Sequence, residues 1–402
     1  MILTSTKAQE GLPRYFAAVF ELASKINRGQ LDFELPDGRV FRAQGAHTGP
    51  IAHLKIHHPD TFSRLMREGE LGFSESYMDG DWSTPDLQAF MDLLRADNDV
   101  LFDGFPGAGL VRYYERMRHW MNRNTVGQAK KNISYHYDLG NAFYALWLDD
   151  TMTYSSALFA PDQHDLKIAQ LAKYQSIIEH LGVKRGDHIL EIGCGWGGFA
   201  HYAAGTCGVN VTGLTISQEQ LSFSRQCIDI NGLSDLVNFK LQDYRDEETQ
   251  YDGIVSIEMF EAVGEKYWPV YFDTVHRCLK PTAKATLQII TVHEDRFAQY
   301  RKGVDFIQKF IFPGGMLPSP SALKTQIQTA GLQVEHIHDF GERYSKTLRD
   351  WYTRFNARWP DVKALGFDER FQRMWNFYLT SCAAAFHSGN CDVSQITISR
   401  SH

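Results

Sequence analysis

Residues His188–Ala200 read HILEIGCGWGGFA and give the clearest indication of the fold class. An apolar strand ends there in a turn that carries four glycines between Gly193 and Gly198. Glycines let backbone N–H groups approach a ligand closely where a strand passes into a helix. In an open α/β sheet, ligands bind at such junctions. We therefore predict a strand, a ligand-binding turn and a helix in this order.

The identity of that ligand is only partly fixed by the turn. Gly193, Gly195 and Gly198 satisfy the spacing GxGxxG, which leaves NAD open. A dinucleotide site also expects an acidic residue about 20 positions on, after the second strand. That strand ends in Gly213–Ser217, GLTIS, without a carboxylate. This disfavours NAD, and a tight turn without a ligand stays as the structural alternative.

The segments around the turn alternate between strand and helix patterns. Leu166–Leu181 has apolar residues at helical spacing. Four more short apolar strands follow the first: NVTGLTIS, VNFKLQD, YDGIVSIE and KATLQIITV. Such alternation predicts an α/β fold, a doubly wound Rossmann-like sheet that helices cover on both faces.

The N-terminal part has a different pattern. Ala17–Ile26 predicts a helix, and LDFELPDGRVFRA predicts a hairpin around a Pro-Asp-Gly turn. We divide the chain into a smaller N-terminal α+β domain (1–110), a connector (111–134) and a catalytic domain (135–402). In the connector, six Lys or Arg face one Glu among aromatic residues. This favours an interfacial segment on anionic lipid, with a solvated linker helix as the alternative.

Composition excludes several classes. The 402 residues suffice for two or three domains, and the net charge of −7 argues against a nucleic-acid binder. Six cysteines without CxxC spacing indicate reduced thiols and no metal site. We see no apolar run of about 18 residues and no apolar signal core at the N-terminus. We expect a cytoplasmic protein with at most peripheral membrane contact.

Two carboxylates stand at the end of an apparently buried strand. Ile254–Gly264 reads IVSIEMFEAVG, so that Glu258 ends the apolar run and Glu261 follows three residues later. Charged side chains are rarely buried without a partner. Their position at the mouth of a strand therefore points to chemistry there.

Motifs along nearly the whole chain carry a resemblance to a known family. They are GFSESYMDGDW (72–82), YHYDLGNAFY (135–144), TYSSALF (153–159), EIGCGWGGFA, LTISQEQ, LQDYRD, SIEMFEAVG, FIFPGGMLPS and SCAAAF, in this order. The chain resembles cyclopropane-fatty-acyl-phospholipid synthases, which use S-adenosylmethionine. The resemblance implies transfer of a methylene group to cis double bonds of phospholipid acyl chains. Related enzymes modify mycolic acids or methylate small amines, but they lack the N-terminal domain.

The resemblance implies a set of cofactor contacts. Apolar or aromatic faces suit an adenine, and hydroxyl and amide groups suit a ribose. Gln220 is equally well a helix surface residue, and Asp243 a helix cap. The implied contacts are Tyr154, Ser155, Gly193, Gly195, Gly197, Thr215, Gln220, Gln242, Asp243 and Tyr244.

The family reaction also needs a base, because a proton must leave the new methyl group before a ring can close. The resemblance implies that a bound bicarbonate takes it, with Glu261 as its carboxylate ligand. Tyr344 is implied as a further ligand, Ile290 through its backbone amide, and His136 with Tyr137 as cavity lining. Glu258 has no match in the best-known bacterial members, and we interpret it as a structural or cofactor-side residue.

Three further positions correspond to family residues with a proposed role in catalysis. Ser156 stands where the family has cysteine, which changes little if the backbone amide is what acts there. Gln288 replaces a histidine of the enterobacterial and mycobacterial branches. A glutamine can donate to bicarbonate but cannot carry a proton near pH 7. Cys382 aligns with a cysteine once proposed as catalytic, and we interpret it first as a small core residue.

Other functions stay open. The aromatic segment around 294–318 suits a cap over an acyl chain, with a core helix as the alternative. The substitutions at Ser156 and Gln288 favour, as an alternative, a C-methyltransferase that makes methyl- or methylene-branched chains. A small-molecule N-methyltransferase and a non-enzymatic lipid-binding protein are further alternatives. Homodimerisation through the N-terminal domain is implied by relatives only.

Overall fold

The computed structural model describes residues 2–96 and 139–401, which form two compact units. The first unit comprises residues 2–96, 302–311 and 363–388. The second comprises residues 139–301, 312–362 and 389–401. The connector predicted over 111–134 and the pair His136–Tyr137 lie outside the described residues.

The first unit is built on a five-stranded sheet of order β1-β3-β2-β4-β5. Its strands are β1 (Ile2–Leu3), β2 (Arg28–Glu34), β3 (Val40–Gln44), β4 (His47–Ile56) and β5 (Trp82–Ser83). Its helices are Phe16–Ala23, Thr61–Glu68, Glu70–Asp79, Leu87–Ala96 and Glu369–His387, with a π-helical turn at Ile307–Ile311.

Aromatic packing forms the core of this unit. The rings of Phe16 and Phe41 lie 4.9 Å apart, and Phe33 and Phe62 pack against Phe16. Strands β2 and β3 pair antiparallel, so the predicted hairpin is confirmed. The predicted N-terminal helix is also present, but it ends at Ala23, three residues earlier than expected.

The second unit contains a seven-stranded sheet of order β11-β12-β10-β9-β6-β7-β8. Its strands are β6 (His188–Ile192), β7 (Asn210–Thr215), β8 (Val237–Leu241), β9 (Tyr251–Ile257), β10 (Leu279–Val292), β11 (Leu332–Asp339) and β12 (Cys391–Arg400). Strands β6 to β10 run parallel, and β12 pairs antiparallel with both β10 and β11. The predicted α/β class with a mostly parallel sheet is confirmed.

Helices connect and cover these strands. They are Asn141–Ala145, Leu166–Leu181, Gly198–Tyr202, Gln218–Ile230, Trp268–Cys278, Glu294–Tyr300, Pro320–Thr329 and Gly341–Ala357. A π-helical turn follows at Ala203–Cys207, three 3₁₀ turns lie at Tyr244–Asp246, Phe260–Ala262 and Glu265–Tyr267, and Trp359–Ala364 is a further short helix.

Two apolar clusters lie on opposite faces of the sheet, because side chains alternate along each strand. On β9, Ile254 packs with Phe272 of helix Trp268–Cys278, whereas Val255 packs with Ile177 of helix Leu166–Leu181. The central strands β6, β7 and β9 are therefore buried on both faces, which explains their largely apolar pattern, whereas the edge strands β8 and β11 are partly exposed.

Candidate active site

The glycine turn follows β6, at the carboxyl ends of the parallel strands. Gly193 has a φ of +83°, and a Cβ atom there would lie 2.7 Å from Cγ of Met259. Gly197 has a φ of +85°, and its Cβ would lie 2.9 Å from the ring of Phe239. Only glycine fits both positions without strain or overlap. The turn therefore lies directly against Met259, the residue that follows Glu258.

The polar residues expected at the cofactor lie on the next two strand ends. Thr215 donates from its hydroxyl to Gln220 Oε1 at 2.9 Å, so these two buried side chains orient each other. Gln242 donates from Nε2 to Glu247 Oε2 at 3.0 Å. Asp243 caps the Tyr244–Asp246 turn and pairs with Arg245 at 2.6 Å, so the cap alternative has a structural basis.

An aromatic cluster stands beside this region. The ring of Tyr154 lies 5.1 Å from Trp351, 5.4 Å from Tyr144 and 5.6 Å from Trp147. Tyr144 continues to Trp196 of the glycine turn at 4.9 Å. The cluster links Tyr154, an expected cofactor contact, to the turn itself. It offers the apolar and π-rich faces that an adenine ring or a cation prefers.

Glu258 lies at the centre of a ring of hydrogen-bond donors. Its Oε1 accepts from the backbone N–H of Ser156 and from Nε2 of Gln288, both at 2.7 Å. Its Oε2 accepts from the hydroxyl of Tyr344 at 2.7 Å. The backbone of Glu258 has a φ of +50°, in the left-handed region that non-glycine residues rarely adopt. Strain of this kind concentrates at functional sites.

Glu261 is the second carboxylate of the cluster. Its Oε1 accepts from the backbone N–H of Ile290 at 2.5 Å. Its Oε2 is buried and has no hydrogen-bond partner within the described residues. One backbone donor thus supports Glu261, whereas three donors support Glu258.

A buried polar network holds the amide of Gln288. Gln395, its direct neighbour on β12, donates from Nε2 to Gln288 Oε1 at 3.2 Å. Ser176 donates from its hydroxyl to Gln395 Oε1 at 2.7 Å. Since each amide oxygen is already occupied, the Nε2 group of Gln288 must face Glu258.

Lys173 lies in the same interior, fully buried on helix Leu166–Leu181. Its Nζ donates to Ser155 Oγ and to Gln170 Oε1, both at 2.6 Å. Burial lowers the pKa of Lys173 to about 7, against the charges of Glu258, Asp149 and Glu191, which raise it.

Burial and hydrogen bonding affect the pKa values of the two carboxylates differently. Burial raises the pKa of Glu261 to about 8, and the neighbouring charge of Glu258 adds to this rise. Burial also raises the pKa of Glu258, but Lys173, Tyr344, Ser156 and Gln288 all lower it. Because Glu258 has more donors, the proton of the pair belongs on Glu261 and the charge on Glu258.

The residues present do not fit the bicarbonate that the resemblance implied. The donors expected to hold it were the amides of Ser156 and Ile290, the side chain of Gln288 and the hydroxyl of Tyr344. Each of them donates instead to Glu258 or Glu261. A third anion at this place would meet two carboxylates.

The structure brings most predicted residues together in the second unit, with two exceptions. His136 lies outside the described residues. Cys382 lies on helix Glu369–His387 of the first unit, where it is half-buried. Sequence reasoning missed Lys173 and Gln395. Both carried a signal, since Lys173 shares a helix face with Ala169 and Ile177, and Gln395 directly precedes the apolar Ile396 in a strand.

The fold and the site define a class of protein. The chain is similar to the solved structure of cyclopropane synthase MmaA2 from Mycobacterium tuberculosis, with a TM-score of 0.64 and 30% identity over 67% of this chain and 98% of that chain. It is also similar to mycolic acid cyclopropane synthase CmaA1 complexed with SAH and CTAB, with a TM-score of 0.63 and 33% identity over 67% and 97%. The chain is an S-adenosylmethionine-dependent methyltransferase.

Sequence relatives are more specific. The mycolic acid cyclopropane synthetase family matches residues 124–396. The cyclopropane-fatty-acyl-phospholipid synthase of Escherichia coli K12 is 40% identical over 87% of this chain and 88% of its own length. The tuberculostearic acid methyltransferase of Mycobacterium tuberculosis is 38% identical over 89% and 86%. The chain belongs to the mycolic acid cyclopropane synthetase family, which confirms the resemblance described above.

Proposed function

We propose that this protein transfers a methylene group from S-adenosylmethionine to the cis double bond of unsaturated acyl chains in membrane phospholipids, forming cyclopropane fatty acids. The observation that carries the proposal is Glu258, a donor-supported carboxylate at the strand ends beside the cofactor turn. The 40% identity with the Escherichia coli synthase over most of both chains supports the same activity.

Different residues would bind the cofactor and stabilise the cation in this reaction. S-adenosylmethionine supplies an electrophilic methyl group, which an alkene can accept. The glycine turn and Tyr154 would hold the cofactor, and Thr215 with Gln220 offers it polar partners. The rings of Tyr154, Tyr344 and Trp351 present π faces to positive charge on the acyl chain. This largely apolar surround keeps water away from the cation.

A second candidate is a C-methyltransferase that leaves a methyl or methylene branch on the same substrates. The 38% identity with the tuberculostearic acid methyltransferase favours it. The two products differ only in the fate of the cation. Loss of a proton from the new methyl group closes a ring, whereas a hydride shift before proton loss leaves a methylene branch.

We further propose that the protein works in the cytoplasm and associates peripherally with the membrane, and that it forms a homodimer. A bilayer substrate requires surface attraction before chemistry. Within 2–96 and 139–401, no helix has both the length and the apolar character needed to cross a membrane.

One experiment tests both candidates. The purified protein is incubated with S-adenosylmethionine and vesicles of a cis-monounsaturated phospholipid, and the released fatty acids are examined by mass spectrometry and proton NMR. A one-carbon mass gain with upfield ring protons is expected. The same gain with vinyl protons or a branch methyl signal would favour the second candidate. No gain, with the cofactor still bound, would contradict both.

A further inference from the structure

Glu258 has a geometry that a merely structural carboxylate does not need. It directly follows β9 with a left-handed backbone, and its carboxylate accepts hydrogen bonds from Ser156, Gln288 and Tyr344. Ser156 and Gln288 are fully buried and Tyr344 is 6% exposed, so the donors form a fixed frame. The frame holds a negative charge in one position.

The same carboxylate lies close to residues expected to hold the cofactor. Met259, the next residue, contacts the glycine turn at Gly193. Ser156, which donates to Glu258, directly follows Tyr154 and Ser155. Glu258 is therefore linked to the cofactor turn through Met259 and to the aromatic cluster through Ser156.

Glu261 and Lys173 complete the arrangement. Glu261 has one backbone donor and a buried oxygen without a partner in the described parts of the chain, so it is the weaker site for charge. Lys173 is fully buried, and its charge favours an ionised Glu258. The cluster thus keeps one carboxylate ready to accept a proton.

We propose that Glu258 is the general base of the reaction and that this chain carries the proton acceptor as one of its own side chains, without an exogenous anion. The inference rests on the proposed function, because it needs a methylated acyl cation as the proton donor.

The electrons balance in two steps. The alkene π pair forms the bond to the methyl carbon, while the C–S bond breaks with its pair left on sulfur, and a cation remains on the acyl chain. The C–H pair of the new methyl group then closes the ring. The proton passes to the carboxylate of Glu258, which becomes a carboxylic acid and later releases the proton to solvent.

The test compares wild type with Glu258→Gln, Glu258→Gly and a surface control, Glu179→Gln. Turnover on phospholipid vesicles is measured in CO₂-free buffer with and without added bicarbonate, and binding of S-adenosylhomocysteine is measured alongside. Glu258→Gln keeps the size of the side chain, and its amide can still accept from Ser156 and donate to Tyr344. Glu179 is exposed and bonds only to Gln175 among the described contacts, so it controls for a lost carboxylate.

We expect wild type and Glu179→Gln to turn over equally with and without bicarbonate. Glu258→Gln should lose about 10²–10⁴-fold in turnover, the usual contribution of a general base, while binding of S-adenosylhomocysteine persists. Glu258→Gly removes the carboxylate and relieves the left-handed strain, so we expect it to fold. It opens space among the donors, and added bicarbonate or formate should restore part of its turnover.

Two results would overturn the inference. One is wild-type turnover that disappears without bicarbonate, and the other is a Glu258→Gln variant that stays active. In both cases product still forms, so the proposed function stands. Absence of product from wild type under every condition would instead contradict the proposed function.

Discussion

Replacing Glu261 by glutamine should make the protein relatively more stable as the pH rises. The pKa of Glu261 is raised from 4.5 to about 8 by burial and by the charge of Glu258. Between these two values the folded protein keeps a proton that the unfolded chain releases. Wild-type stability therefore decreases with rising pH in this window, by up to about 1.4 kcal/mol per pH unit. The Glu261→Gln variant has no such group.

The magnitude follows from the width of the window. From about pH 5.5 to about pH 7.5, the full effect would be about 2.7 kcal/mol. Glu261 is partly exposed and coupled to Glu258, so we expect about 1–3 kcal/mol in favour of the variant. Each kcal/mol corresponds to about 2–4 °C in melting temperature for a unit of this size. Lys173 and Tyr271 also lie near the pair. Because they are present in both proteins, their contributions to the pH dependence of stability largely cancel in the comparison.

Melting temperatures of both proteins over this pH range provide the assay. Glu294→Gln is the matched control. Hydrogen bonds from Ser321 lower the pKa of Glu294, so this carboxylate is ionised throughout the window in both the folded and the unfolded protein. The difference between that variant and wild type should stay constant. If the Glu261→Gln difference also stays constant, Glu261 is not protonated in the folded protein, and the division of charge within the pair is wrong.

Three further substitutions test the surroundings of the site. Gly197→Ala should lower the free energy of unfolding by about 2–4 kcal/mol in a urea titration, since the new methyl group both overlaps with a neighbouring side chain and strains the left-handed backbone. Gly182→Ala strains the backbone in the same way but has open space around it, so it should lose only about 1–2 kcal/mol. Equal losses in the two variants would contradict the overlap at Gly197. Gln395→Leu should lower the free energy of unfolding by about 1–3 kcal/mol in the same titration. It should also lower kcat with KM unchanged, because the amide of Gln288 loses the partner that orients it. An unchanged kcat would show that this orientation is unimportant. Lys173→Met should move the rising limb of the kcat–pH profile to higher pH, because Lys173 lowers the pKa of Glu258; an unmoved profile would exclude this coupling.

Much of the catalytic sheet could be predicted from sequence because its strands are short, apolar and separated by helices. Strands β6, β7 and β9 are buried on both faces, so each appears as a largely apolar run. Strands β11 and β12 were missed for a physical reason. β11 is half-exposed, and β12 carries buried Ser, Gln and Thr residues that satisfy their polar groups through partners far away in sequence.

The site was predictable in part. The strand end marked by Glu258 and Glu261 was visible as a break in an apolar run. The role of Glu258 was not, because its partners Ser156, Tyr344 and Gln288 lie 102, 86 and 30 residues away. Only the folded chain reveals that three donors converge on one carboxylate. For the same reason, the sequence does not reveal that the donors expected to hold bicarbonate bond to Glu258 and Glu261.

The same convergence accounts for both substitutions that set this chain apart from the family it resembles. Ser156 serves Glu258 through its backbone N–H, so exchange of a cysteine side chain for a hydroxymethyl group costs no contact to the carboxylate. Gln288 needs only to donate, because the proton acceptor is the neighbouring carboxylate and not a side chain at its own position. An amide fixed by Gln395 performs that task at every pH, whereas an imidazole would change its charge near neutrality. A carboxylate at position 258 therefore makes a glutamine at position 288 sufficient.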